Sequence, residues 1–272
     1  MARRSYGVRP FVGTRHFDGG FSPLSLFSAG EQGAWYDPSD LSTLFSDSAG
    51  TTPAVVDGPV GKMLDKSGRG THRTQATTAQ TPILRTSGGL YWLEYDGVDD
   101  GMVTASIDLS GTAKATVIMG ARKDSDASAA TLVEFSAWAG QTGAFGILAP
   151  RTASANYGIG LRGDTAIAQY SANSLAAGSA HVLAVQFDIA GAAIADEIMV
   201  RVNGAAITPA VASAGPAGGG NFGNYPLYFG RRAGASQPFT GREYYAVIRG
   251  AVSSAAQIAS LETACNLKTG AY

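Results

Sequence analysis

The chain has 272 residues, 20 basic and 21 acidic side chains for a formal net charge of −1, 36 glycines and one cysteine. Charged residues make up 15% against the ~25% of an average domain, while the hydrophobic fraction of 45% is ordinary. Disorder, which needs low hydrophobicity and high net charge, a disulfide scaffold and charge-driven nucleic-acid binding are thereby excluded, and collagen falls away because the glycines have no three-residue period.

Residues 1–32 read as an irregular arm. Arg3, Arg4, Arg9, Arg15 and His16 face few acids, and Tyr6, Phe11, Phe17, Phe21 and Phe27 are spread among them. Pro10, Gly19-Gly20 and Pro23 oppose a long helix. A solvated tail gains nothing from so many aromatics. The arm therefore either docks on a partner subunit, through Arg3, Arg4, Tyr6, Arg9, Phe11 and Phe17, or packs on its own domain. The basic start lacks the apolar run of ~7–15 residues that an export signal needs. The most apolar window, 181–200, carries Asp188, Asp196 and Glu197 and does not suit a membrane span. A soluble, cytoplasmically made product is expected, without membrane insertion or nucleic-acid partner.

From Trp35 onward the punctuation is that of β-structure. Short candidate strands fall at 90–96, 101–107, 114–122, 130–136, 143–148, 156–161, 181–187, 197–202, 226–230 and 242–249, separated by Gly, Ser, Asn, Asp and Pro clusters. In one of them Thr116, Ile118 and Gly120 alternate with Val117, Met119 and Ala121; in another Ile198, Val200 and Val202 share a face. Such spacing predicts an all-β antiparallel sandwich or barrel rather than a parallel α/β sheet. The stretch 212–224, rich in Gly and Ala, predicts a long flexible loop. Near the end, Ser254-Ala255-Ala256-Gln257 has capping-box spacing, Ile258, Leu261 and Cys265 follow on one helical face, and Gly270 is a plausible stop. Residues 33–272 are thus expected to form one domain after the 1–32 arm.

Several motifs resemble a known family. Leu93-Glu94-Tyr95-Asp96-Gly97-Val98-Asp99-Asp100 resembles a strand-and-turn of LamG-like jelly rolls, the concanavalin A-like lectin/glucanase fold. His181 to Asp188, Val200-Arg201-Val202-Asn203-Gly204, Leu227-Tyr228-Phe229-Gly230, Phe239 to Val247 and the turn Leu64 to Gly70 resemble further elements of that fold in order. The resemblance implies a concanavalin A-like jelly roll with a short C-terminal helix. Trp35 to Phe45, Val60 to Gly70 and Asn224 to Arg232 also resemble a set of tailed-bacteriophage and prophage virion proteins. That implies a structural role in a virion, with other virion proteins and further copies of the chain as partners.

Catalytic signals are sparse. Glu94-x-Asp96-x-x-Asp99 approaches the acid pattern that the resemblance to glucanases implies, but the last Glu is missing and Gly97 interrupts the strand, so Asp96-Gly97 reads as strand end and turn. The histidines are scattered without metal spacing. Asp96, Asp99 and Asp100 are the candidate metal ligands, for Ca²⁺, or equally caps for backbone amides in the turn. Trp35, Trp92, Trp138, Tyr225 and Tyr228 are candidate glycan-stacking aromatics, of which Trp138 and Tyr225 sit nearest predicted loops. The sequence thus predicts a non-enzymatic bacteriophage virion component, tail or fibre associated, made in the host bacterial cytoplasm and serving in assembly and host-surface adhesion, without an obligatory cofactor. The alternatives are a carbohydrate-binding lectin module, with or without Ca²⁺, that meets host surface glycan, and a head decoration protein.

Overall fold

Alternation along the strands decides the architecture, because one apolar face per sheet must be covered by another layer. The structure, a computed structural model, describes residues 21–136, 139–213 and 215–272. In one sheet the strands run Ala205–Ala206, Ile198–Val202, Ala180–Asp188, Lys114–Lys123, Thr240–Arg249, Leu90–Asp96 and Ile83–Ser87, with Gly33–Tyr36 also paired to Thr240–Arg249. The other has ten strands, from Ala210–Val211 through Ile167–Asn173, Asn156–Arg162, Ala144–Leu148, Thr131–Phe135, Leu227–Phe229, Met102–Thr104, Arg73–Thr74 and Lys62–Met63 to Leu44–Phe45. The strand pairings of the described residues are antiparallel. The fold is an antiparallel jelly-roll sandwich with a C-terminal helix.

The predicted alternation is what fills the core. Val117, Met119 and Ala121 point between the sheets with Leu183, Val185, Ile198, Val200 and Val202, while Ile118 points outward. Strand Thr240–Arg249 changes phase on the way: its register with Lys114–Lys123 shifts between Glu243 and Tyr245. The extra residue lets Glu243 and Ala246 both face inward, while Val247 and Tyr245 join the outer cluster. A bulge re-aims side chains in this way.

The helix, Ala255–Thr269, covers that outer face. Ser254 and Gln257 close a reciprocal capping box, and Gly270, left-handed at φ 62°, ends it. Ile258, Leu261 and Cys265 pack on Ile118, Val182, Ala184 and Val247. Full burial of a Leu or Ile contributes ~1.5–3 kcal/mol relative to exposure. Burial pushes the Cys265 thiol up to about 12, so it is a packing group rather than a thiolate nucleophile at neutral pH.

Of the predicted arm, residues 21–32 pack on the sandwich, one of the two placements its aromatics suggested. Leu26 and Phe27 are buried in the outer cluster. Arg249 donates to the Leu26 carbonyl at 2.9 Å and to Glu31 at 2.6 Å, and Arg69 donates to the Phe27 carbonyl. Arg3, Arg4, Tyr6, Arg9, Phe11 and Phe17 lie outside the described residues. The glycine-rich stretch is a loop, but one pinned to the body. Both oxygens of buried Glu197 accept the Ala217 N–H, at 2.8 and 3.0 Å, and Phe222 is buried against Phe135 and Phe145. Strand Ile167–Asn173, unpredicted, alternates like its neighbours, with Ala168, Tyr170 and Ala172 facing the core, but two of these three are small and Gln169 and Ser171 stand between them, so its local apolar signal is weak.

Candidate functional site

Register builds a row of side chains across the outer face of the ten-stranded sheet. Thr74 is paired with Val103, and Val103 with Tyr228. Their neighbours Arg73, Met102 and Phe229 are buried on the core side, so Thr74, Val103 and Tyr228 point outward and are half-buried. The row floors a cleft of about 320 Å³ whose walls include Gln75, Gln80, Arg231 and Gly234.

The walls are held by hydrogen bonds between loops far apart in sequence. Gln75 Nε2 donates to the Gly101 carbonyl at 2.9 Å, and Gly101 N–H to the Gln80 carbonyl at 3.0 Å. Arg231 Nη1 donates to the Asp99 carbonyl at 2.8 Å and Nη2 to that of Ala235 at 3.2 Å. Among the described residues Arg231 Nε makes no hydrogen bond. A Cβ at Gly234 would make ordinary van der Waals contact with the edge of the Tyr228 ring, 3.7 Å away, and glycine there leaves that contact unmade. The cleft thus joins an aromatic ring to two planar amides, a guanidinium and a hydroxyl. Its volume lies at the lower end of the ~300–1,000 Å³ typical of small-molecule sites.

The predicted acid turn borders this cleft. The carboxylates of Asp96, Asp99 and Asp100 come within 4.8 Å of one another. Each is already engaged. Asp100 Oδ2 accepts the Asp96 N–H at 2.9 Å, Asp96 Oδ1 accepts the Val98 N–H at 2.8 Å, and Asp99 Oδ2 accepts from Gln80 at 3.3 Å. Desolvation, with further contributions from Asp96 and Asp99, pushes Asp100 up to about 7, so half of its population is neutral at that pH. Calcium wants ~6–8 oxygens, preferably charged ones. The geometry is that of a turn in which short acids cap amides, with the Arg231 guanidinium alongside.

The other sequence candidates sit elsewhere. Glu94 lies on the outer face of its strand, paired with Arg85 at 3.2 Å and Arg242 at 4.0 Å. Trp92 is buried under the Arg242 guanidinium, whose carbon is 4.4 Å from the ring centroid. Tyr225 stacks edge-on against Phe135 and donates its hydroxyl to the Thr142 carbonyl at 3.0 Å. Trp138 lies outside the described residues. Gln75, Gln80 and Arg231 were missed by sequence reasoning. Nothing local marks them, since they meet only through the pairing of strands whose partners lie 29 and 125 positions apart in the chain, Thr74↔Val103 and Val103↔Tyr228.

No family model matches the chain, and no curated protein matches it. Among solved structures, the binding domain of botulinum neurotoxin serotype G aligns with a TM-score of 0.55 at 10% identity, over 74% of this chain and 48% of that one. The serotype D binding domain aligns at 0.54 and 9%, over 74% and 49%. The binding domain of botulinum neurotoxin DC, in complex with SialylT, aligns at 0.53 and 10%, over 84% and 52%. The chain spans about half the length of these structures. The likeness is one of fold.

Proposed function

We propose that the chain is a non-catalytic, lectin-like binding module that holds a saccharide in the Tyr228 cleft. The carrying observation is the half-buried Tyr228 ring on the floor of the cleft, beside Gly234 and ringed by Gln75, Gln80 and Arg231. A sugar presents C–H groups to an aromatic face and hydroxyls to planar donors and acceptors, and this cleft has both. Its fold neighbours are binding domains, one of them solved with SialylT. The reading needs no cofactor. Glycan-array binding by the intact chain, lost in Tyr228→Ala and Arg231→Gln variants that still unfold cooperatively, is the expected result. A folded wild-type chain that retains no glycan on neutral and acidic arrays would sink the proposal.

A second reading places the module on a bacteriophage particle, as a tail- or fibre-associated subunit, in several copies, anchored to neighbours by the N-terminal arm. It is supported by the segments Trp35 to Phe45, Val60 to Gly70 and Asn224 to Arg232, which resemble virion proteins. Mass spectrometry of purified particles tests it: the subunit should be present and should be lost when residues 2–20 are deleted. Absence of the wild-type subunit from particles refutes the location, and unchanged incorporation of the deletion refutes the anchoring.

A further inference from the structure

A second cleft, of about 440 Å³, opens on the outer face of the other sheet, between the C-terminal helix and the chain around Phe21. Ala34 and Tyr36 enter the core, so the intervening Trp35 points outward into this region. Lys268 reaches it from the last turn of the helix, one turn beyond Ala264. Lys66 is fixed beside Trp35 by its own N–H, which donates to the Trp35 carbonyl at 2.8 Å.

The polar groups here form a balanced set. Lys66 Nζ lies 2.6 Å from Asp40 and 3.7 Å from Asp37, and 4.7 Å from the Trp35 ring centroid. Lys268 Nζ lies 3.3 Å from the same Asp37 oxygen and donates to Ser39 Oγ at 2.7 Å. Two ammonium groups therefore face two carboxylates, and among the described residues the charges of this set balance. Each ammonium has three N–H donors and two partners among the described residues, which leaves one donor unspent. Asp40 does not line the cleft itself but is tied to it through Lys66; it is 35% exposed at its side chain and keeps acceptor capacity beyond Lys66 and Ser42. An incoming ligand meets donors and acceptors together, beside an indole and the Phe21 ring, in a set of paired rather than single charges.

We infer that this cleft is a second saccharide site, selective for a neutral sugar unit. Its vicinal hydroxyls accept from Lys66 and Lys268 and donate to Asp40, while its C–H groups meet Trp35 and Phe21. An anionic sugar would bring its charge against Asp40 and Asp37, and a cationic ligand would meet the two ammoniums. The site stands apart from the Tyr228 cleft and does not depend on it.

The test follows the indole N–H resonances of the full-length ¹⁵N-labelled chain, which has three tryptophans. Trp35→Phe identifies the signal. Maltotriose, cellotriose, laminaritriose and trigalacturonate are titrated in turn. At least one neutral trisaccharide should shift the Trp35 signal saturably. Lys268→Ala, at the half-buried position of the last helical turn, should weaken that binding about 10-fold, the loss of one charge-assisted hydrogen bond, and Tyr228→Ala should leave it unchanged. The inference is overturned if no sugar moves the Trp35 signal, or if Lys268→Ala has no effect. It is also overturned if Tyr228→Ala abolishes the shift, or if trigalacturonate binds more tightly than every neutral sugar.

Discussion

Arg73 and Glu243 meet inside the sandwich, between the two sheets, with Arg73 Nη1 at 2.8 and 2.9 Å from the two carboxylate oxygens. Neither side chain reaches solvent beyond 1%. Tyr95 donates to the same carboxylate at 3.0 Å, and the guanidinium carbon lies 4.5 Å from the ring centroids of both Tyr36 and Phe229. The bulge in strand Thr240–Arg249 turns Glu243 inward, and Arg73 faces it from the sheet that carries the Tyr228 cleft. Breaking one member leaves a buried charge unpaired. Glu243→Leu or Arg73→Met should each destabilise the chain by about 3–5 kcal/mol, and the double variant should be more stable than either single one. Denaturant melts of the three variants decide this; equal losses that simply add would contradict it.

Gly120 lies under the helix. A Cβ there would stand 2.1 Å from Thr269 Oγ1 and 3.0 Å from Cys265 Sγ. Gly120→Ala should therefore lift or shift the helix and cost about 1–3 kcal/mol. Adding Thr269→Ala, which removes the nearest atom, should recover part of that loss in thermal melts. No recovery would mean that the strain lies elsewhere.

The capping box gives a smaller, cleaner effect. Ser254 Oγ accepts the Gln257 N–H at 3.2 Å and Gln257 Oε1 accepts the Ser254 N–H at 2.8 Å. Ser254→Ala should cost about 1 kcal/mol and raise hydrogen exchange in the first helical turn, leaving the sheet amides unchanged.

Asp100 sets a pH dependence. Its ionisation is pushed up from the ordinary value of 3.8 to about 7, so between those values the folded chain holds a proton that the unfolded chain has released. The contribution of this group to stability is therefore present at low pH and lost as pH rises from about 4 to 7. Asp100→Asn, which keeps an acceptor for the Asp96 N–H, should flatten that slope and be the more stable form above pH 7. Urea midpoints at a series of pH values test the sign; a steeper slope in the variant would reverse it.

The same turn predicts indifference to calcium. With each carboxylate already accepting a hydrogen bond and Arg231 alongside, addition of Ca²⁺ or of EDTA should leave the melting temperature unchanged. A rise with Ca²⁺ that disappears in Asp99→Asn would establish a metal site.

Local patterns carry much of the fold. The alternation Val117, Met119, Ala121 against Ile118 and Gly120 determines which face enters the core, because side chains point to opposite faces of a strand with period two. Ser254, Gln257 and Gly270 delimit the helix because a cap satisfies backbone groups within a few residues. Asp96, Asp99 and Asp100 are neighbours in sequence, so their clustering in one turn was legible too. The sequence by itself therefore determined strand faces, helix ends and turns. What only the tertiary structure decided is which distant residues share a surface. Thr74, Val103 and Tyr228 form one row, and Arg73 finds Glu243, through strand register, which depends on packing summed over two whole sheets. The Glu243 bulge makes the same point in a single residue: alternation read along Thr240–Arg249 puts Glu243 and Tyr245 on one face, and one extra residue in the ladder separates them.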